Sequence, residues 1–469
     1  MKESKLIILL KSLSSVEFKL FYKFVKSPYY NVNNNLVNLY KLLSKYYPDF
    51  EHSKLTYQAI FTSLFPREGF DIQRLRVLFH RLTKLVESFL VAEQIRTDDF
   101  LNKKLLTRGL ERMNTYDLFQ KKTDELLQTL EESPYRDVDY FRNKEQLNLQ
   151  FYAHPATNKQ ENSTAYLTHA MESLDTYFVL SKIKLACAIG ARTQTLSEKA
   201  EIKYLDMAME KAKWSNLLIF IYVKIMELQN GVEEDIATFN KIRALYVTNL
   251  DKIGQKDKRD ILHLLLNFST RLINKGESQF INYNLELYKI GLKYDSLLVN
   301  NEISEETFIN IVSLGTMAKE FEWTKSFIEE YGNHLNDKIR FDAVLYSTAI
   351  WHFRKKEYWE TIQLISNHIF TKPIQIILSK TILIRTYIEL FLNDDSYYDL
   401  SIAHINTFEK YIRNNKVLSE NGVEGYLNFC RFTKKIINFK YQGKDTFDIK
   451  NKINSVQNVR LKFWLLEKL

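Results

Sequence analysis

The stretch 314–326, LGTMAKEFEWTKS, and its later counterpart 349–361, AIWHFRKKEYWET, decide how this chain folds. Gly315 and Ala349 are small residues 34 apart, Trp323 and Tyr358 are aromatics 35 apart, and Ser326 and Thr361 are small or β-branched residues 35 apart. Recurrence at this interval marks a repeated pair of helices, because one such pair cannot bury its apolar face alone and must stack on the next. Small residues let the two helices of a hairpin approach, and the aromatic fills the space between adjacent hairpins.

In the second unit Ala349, Tyr358, Thr361, Ile365 and Pro373 fall where tetratricopeptide repeats place their small, aromatic, small, large apolar and terminal proline residues. Residues 304–413 therefore resemble that family. The first unit fits after a one-residue slip, and the third lengthens its turn around Asn393–Ser396 before Tyr397. The chain as a whole resembles a bacterial family of long α-helical proteins, on Leu314-Gly315 with Glu322-Trp323 and on Tyr426-Leu427-Asn428-Phe429. That resemblance implies a fold and no activity. The repeat implies an extended concave surface for another polypeptide, with Lys319, Tyr346, Arg354 and Arg385 as the residues facing it.

Composition extends the helical reading to the whole chain. Only 12 Gly and 6 Pro occur in 469 residues, so the residues that build tight turns and end strands are scarce. Apolar residues recur at helical spacing from the first residues onward, including about Asp98–Arg112, Thr115–Glu132, Asp137–Gln150, Tyr166–Ile189, Trp214–Leu228, Glu233–Leu250 and Lys258–Asn274, and no stretch alternates as a strand does. Thr195 and Glu198 have the spacing of a helix-initiating pair. Cys187 and Cys430 are too far apart to suggest a disulfide framework or a paired metal motif and are expected as buried thiols. Lys11 and Ser12 cut short the apolar run Leu6–Leu10, and Lys224 interrupts Leu217–Leu228, so neither a signal peptide nor a membrane span is expected. The expected location is the cytoplasm, which makes the glycosylation match at Asn162-Ser163-Thr164 a coincidence.

Charge is uneven. Fifteen Lys or Arg against eight Asp or Glu give residues 1–97 a net +7, whereas the remainder carries +2. Within that basic segment Ser14 and Glu17 have capping-box spacing, and the helix they open should end at Ser27-Pro28. A third helix is expected over about Asn33–Tyr46. From Asp71 a long helix places Leu75, Leu78, Phe79, Leu82, Leu85, Val86 and Phe89 on one face, with Gln73, Arg76, His80, Arg81 and Lys84 opposite. Leu64-Phe65-Pro66 followed by Leu75-Arg76, Leu78 and Arg81-Leu82 is similar to the helix-turn-helix core of winged-helix regulators. That resemblance implies Arg74, Arg76, Arg81 and Lys84 as nucleic-acid contacts within 56–90.

Catalytic signatures are missing. There is no glycine-rich phosphate loop, no His-Glu-x-x-His and no nucleophile elbow. His263, between Leu262 and Leu264, reads as a hydrogen-bonded core histidine, and Asp98-Asp99 and Asp394-Asp395 read as helix caps. The expectation is an all-α protein: a basic N-terminal helical bundle (1–97), a helical array (98–303) and an α-solenoid of tetratricopeptide-like hairpins (304–469). It would act without cofactor, metal or catalysis, as a scaffold or adaptor for a protein or peptide, with nucleic-acid binding as the alternative.

Overall fold

The computed structural model describes residues 3–113, 115–155, 163–196, 200–212, 216–230 and 235–469. Among these residues the chain is all-α, with 23 α-helices and one two-stranded hairpin of two residues per strand. Packing divides it into two compact units, Met1–Ser133 with Lys144–Ala170, and Pro134–Asn143 with Met171–Leu469. Residues 98–303 contribute to both units, and 304–469 belong to the second. The sequence features resting on Asn162, Glu198, Trp214 and Glu233 lie outside the described residues.

The first unit contains α1 (Lys5–Ser12), α2 (Ser15–Lys26), α3 (Asn34–Ser44), α4 (Tyr57–Leu64), α5 (Ile72–Thr97), α6 (Asp99–Arg112) and α7 (Tyr116–Glu132), with segments of α8 (Val138–Ala153) and α9 (Thr164–Leu196). Its organising element is α5, against which α1 to α4 pack. Leu75, Leu78, Phe79, Leu82, Val86 and Phe89 are buried there against Leu6, Ile7, Leu10, Phe21 and Leu39. The termini follow local hydrogen-bond chemistry. Ser14 caps α2 by accepting from the Glu17 amide at 3.2 Å, while the Glu17 carboxylate accepts from the Ser14 amide at 2.8 Å. Asp71 caps α5 by accepting from the Gln73 and Arg74 amides, and Asp98 caps α6 through the Leu101 amide. The Tyr40 hydroxyl donates to the Phe18 carbonyl at 2.7 Å, joining α3 to α2, and Tyr47 donates to the Leu13 carbonyl at 2.9 Å, joining the segment after α3 to the α1–α2 turn.

The second unit continues with α10 (Leu205–Lys211), α11 (Leu217–Asn230), α12 (Asp235–Thr248), α13 (Gln255–Lys275), α14 (Gln279–Lys293), α15 (Glu305–Met317), α16 (Phe321–Tyr331), α17 (Asp337–Arg354), α18 (Tyr358–Ser366), α19 (Pro373–Phe391), α20 (Tyr398–Arg413), α21 (Glu420–Tyr441), α22 (Phe447–Ser455) and α23 (Lys462–Glu467). From α13 to α21 each helix packs on the next, and α15, α17 and α19 also touch in turn. Between α14 and α15 the chain forms an antiparallel hairpin, Leu298–Val299 with Glu302–Ile303, which periodicity did not reveal because each strand is only two residues long. No helix among the described residues is long and apolar enough to cross a membrane.

One turn recurs. α13, α15 and α17 each end with a left-handed residue, Gly276, Lys319 and Lys356 (φ 103°, 62° and 66°). The next residue is a glutamate whose amide reaches back five positions: Glu277 to the Leu272 carbonyl, Glu320 to Gly315 and Glu357 to His352, at 3.0, 2.9 and 3.0 Å. This bond aligns the α15–α16 and α17–α18 turns 37 residues apart, correcting the 34–35 read from sequence. Thr361 thus corresponds to Thr324 and Tyr358 to Phe321, in place of Ser326 and Trp323. Both threonines donate to the capping glutamate's carbonyl, at 2.7 and 3.0 Å. The interval runs through α16 and α17, and the 18 residues of α17 lengthen it. Gly315 is required for closeness: a Cβ there would lie 2.2 Å from Thr324 Oγ1.

Polar side chains also penetrate this unit. Lys184 of α9 bridges Asp257 and Asp260 of α13 at 2.6 and 2.9 Å, and the buried Tyr222 hydroxyl donates to Asp257 at 2.7 Å. Burial opposes the Lys184 charge, but the two carboxylates outweigh it and raise its pKa. His263 keeps solvent-accessible surface on α13 beside the buried Leu262 and Leu265, so it is not the enclosed core histidine expected, although partial burial and then the Arg259 charge lower its pKa. Cys187 and Cys430 are buried, and burial pushes the Cys430 thiol up to about 12.

Replacing Lys184 by Ala leaves Asp257 buried without its cation and should lower unfolding stability by about 3 kcal/mol in urea titration. Gly315→Ala should cost about 1–3 kcal/mol through overpacking. By contrast, Gly109→Ala in α6, where a Cβ meets nothing within 4 Å, should gain about 0.5–1 kcal/mol from helix propensity.

Candidate functional site

The basic residues of α5 lie where the apolar stripe requires, on the exposed arc, but they are not equivalent. Arg74 is ion-paired with Glu68, and its guanidinium lies 3.8 Å from the Phe65 ring centroid. Lys84 binds Glu87 at 2.8 Å, and Glu87 is shared with Lys5 at 2.6 Å, which holds that carboxyl down to about 2 through its two lysine hydrogen bonds. Arg76 and Arg81 are exposed and, at 100° per residue, lie about 140° apart around the helix. α5 continues to Thr97 and α6 begins at Asp99, so helix occupies the place where a winged-helix regulator has its β-wing.

The four residues expected to face a concave groove separate into two environments. Lys319 forms the left-handed cap of α15, and its position is fixed by that turn. Arg354 and Arg385 converge beneath α23 rather than on an open surface, and Tyr346 is buried near Arg385. Tyr346 and Arg385 are only 8% and 9% exposed. Arg354 lies 3.6 Å from Glu467. The Arg385 guanidinium stacks 4.4 Å from the Phe353 centroid and 5.5 Å from that of Trp464. Burial, and then the Arg354 charge, press its pKa down to about 10, which leaves it charged at neutral pH.

The open groove lies elsewhere. It encloses about 1020 Å³ along α17, with α16 and α18 as walls. Asp337, Arg340, Phe341, Val344, Leu345, Thr348 and His352 supply one continuous helical face. Ala343, Tyr346, Ser347 and Ile350 on the other side are buried. Phe341, Val344 and Leu345 thus put apolar side chains on the groove side of α17, opposite the buried row. Phe341 is 66% exposed, and Ile328 and Leu364 add apolar wall. From Asp337 to His352 the face is roughly 22 Å long at 1.5 Å per residue.

Polar pairs mark its margins. Arg340 binds Asp337 at 2.8 Å and donates to the Leu335 carbonyl at 2.9 Å. At the opposite end Glu357 joins Lys355 at 2.9 Å and His352 Nδ1 at 2.6 Å, bonds that lower its pKa, Lys355 contributing most. His368 Nε2 meets Asp342 at 2.7 Å on the adjoining side. These histidine–carboxylate pairs could orient a base. However, the Thr348 hydroxyl in the groove already donates to the Val344 carbonyl at 2.9 Å, and no group of three or more His, Cys, Asp or Glu among the described residues is placed to hold a metal. What the groove offers is apolar surface with a charged rim.

In comparisons with protein-family models, curated proteins and solved structures, nothing matches this chain.

Proposed function

We propose that this chain is a non-enzymatic, cytoplasmic interaction protein whose helical repeats, read as a tetratricopeptide-like α-solenoid, hold a helical peptide in the groove along α17. The observation that carries this reading is the uncovered apolar face from Asp337 to His352, bounded by α16 and α18. Its length suits about four turns of helix, and apolar side chains at i, i+3/i+4 and i+7 are the complement of such a groove. Charge selects among such peptides. Glu329, Asp337, Glu357 and Glu360 outnumber Lys325 and Arg340 around the two adjoining parts of the groove. The favoured ligand carries Leu or Phe on one face and Lys or Arg on its flanks.

A designed 16-residue amphipathic helix with Lys flanks should bind at least about tenfold more tightly than the same helix with Glu flanks, read by fluorescence anisotropy. Phe341→Glu should abolish binding of the Lys-flanked helix, with little change in melting temperature because this ring is already exposed. Equal affinity for the two peptides, or no binding to either, removes the proposal. The nucleic-acid reading of 56–90 makes a different demand: duplex DNA retained at low salt and released by Arg76→Ala with Arg81→Ala. We expect no retention, because these two cations diverge around α5 and Arg74 and Lys84 are already paired.

A further inference from the structure

The segment Leu461–Leu469 crosses several elements that are distant in sequence. α23 contacts α13, α21 and α22, and its side chains reach α17 and α19. Trp464 and Leu465 are buried, 3% and 0% exposed. The Trp464 indole N–H donates to Glu389 of α19 at 3.3 Å, Lys468 pairs with the same carboxylate at 2.5 Å, and Glu467 lies beside Arg354 of α17. The stretch preceding it is fastened separately to α21. Asn428 donates to the Asn458 carbonyl at 2.8 Å, Asn458 donates to the Asn421 carbonyl at 2.6 Å, and the Arg460 amide donates to the Gly425 carbonyl at 3.1 Å. Leu461, the residue between root and tip, has a left-handed backbone (φ 56°), a conformation that disfavours a branched side chain. The geometry is that of a short arm, rooted on α21 and bending at Leu461 to seat Trp464.

The surface beneath the arm differs from an ordinary helix-packing surface. An ordinary core would present aliphatic residues, whereas this one presents the guanidinium groups of Arg354 and Arg385 and the Glu389 carboxylate. Arg385 is nine-tenths buried, yet its Nε has no hydrogen-bond partner. The arm therefore removes this cation from water while leaving one of its donors unmet, so the arm is an incomplete complement to the surface that it covers. A segment that kept the tryptophan contact and brought a carboxylate to Arg385 would gain a charge-assisted hydrogen bond that the arm lacks.

We propose that Leu461–Leu469 is an intramolecular ligand: it occupies a recognition surface formed by Phe353, Arg354, Arg385 and Glu389, whose partner in trans is a short helical segment bearing a tryptophan and an acid that reaches Arg385. This surface is distinct from the open groove along α17. The arm competes because its root holds it at high effective concentration, and a partner displaces it by satisfying Arg385. Trp464 defines the anchor of that ligand, whereas Glu467 lies beside Arg354, so the partner's acid is placed to reach the Arg385 guanidinium instead.

The test uses the full-length chain and a fluorescein-labelled peptide of residues 457–469. With Trp464→Ala and Leu465→Ala in the chain, the wild-type peptide should bind saturably, at least about tenfold more tightly than it binds the unmodified chain. Adding Arg385→Ala to that chain, or Glu467→Lys to the peptide, should each weaken binding about tenfold. Absence of saturable binding to a doubly substituted chain that retains its helical circular dichroism and cooperative melting overturns the proposal. Should that variant fail to fold, hydrogen exchange of the unmodified chain decides. The hydrogen-bonded amides of Leu465–Glu467 should exchange at least about tenfold faster than those of Ala349–Phe353 and Thr386–Ile388, as an arm that opens locally requires. Equal protection in the three segments makes α23 a fixed part of the core and likewise overturns the proposal.

Discussion

The hydrogen bond that closes the α13–α14, α15–α16 and α17–α18 hairpins sets the geometry on which the middle of the second unit depends. A glutamate amide can reach a carbonyl five residues back only if the residue before it adopts a left-handed backbone. Gly276 does so freely. Lys319 and Lys356 do so at a steric cost. Once the chain has turned, Thr324 returns against Gly315, and Thr361 returns to within 3.4 Å of the Ala349 carbonyl. The distance between the paired helices is therefore fixed near their junction. Trp351 then ties one hairpin to its predecessor by donating from its indole nitrogen to the Phe321 carbonyl at 2.8 Å. From these local bonds follow the separation of α16 from α18 and hence the width of the groove between them.

Much of this was legible where the deciding contacts are close in sequence. The Ser14–Glu17 cap, the end of α2 before Pro28, the apolar stripe of α5 and the acidic caps at Asp98 and Asp394 each depend on residues within a few positions of one another. The lengthened turn after α19 is likewise local, and it forms a short 3-10 helix over Asp395–Tyr397. The interval between repeats was harder to read, because a helix can lengthen by a turn without changing its apolar spacing. Matching small and aromatic residues aligned Trp323 with Tyr358, whereas the backbone bond aligns Phe321 with it.

The environment of Arg385 was not legible for a different reason. Arg385 lies near Tyr346 and Arg354, but the residues that cover it lie about eighty positions later, around Trp464. Hairpin periodicity carries no information about a segment that follows the repeats and folds back on them. The α17 groove was missed for a converse reason: Phe341, Leu345 and Thr348 share a helix with residues that truly are core, and composition alone does not separate the two faces. His263 shows the same limit on the neighbouring repeat, where flanking leucines suggested burial that the helix rotation does not provide.

The reach of the C-terminal arm also has a consequence in time. Packing from α13 to α21 runs mainly between chain neighbours, so each hairpin can complete its contacts soon after it is synthesised. The arm cannot: Trp464 meets Glu389 only after 75 further residues have been added. At ribosomal speeds of about 5–20 residues per second, the face containing Arg385 stays open for roughly 4–15 s on every nascent chain. During that interval the face containing Arg385 is not yet covered by α23, so its exposure on a nascent chain is set by the order of synthesis as well as by packing.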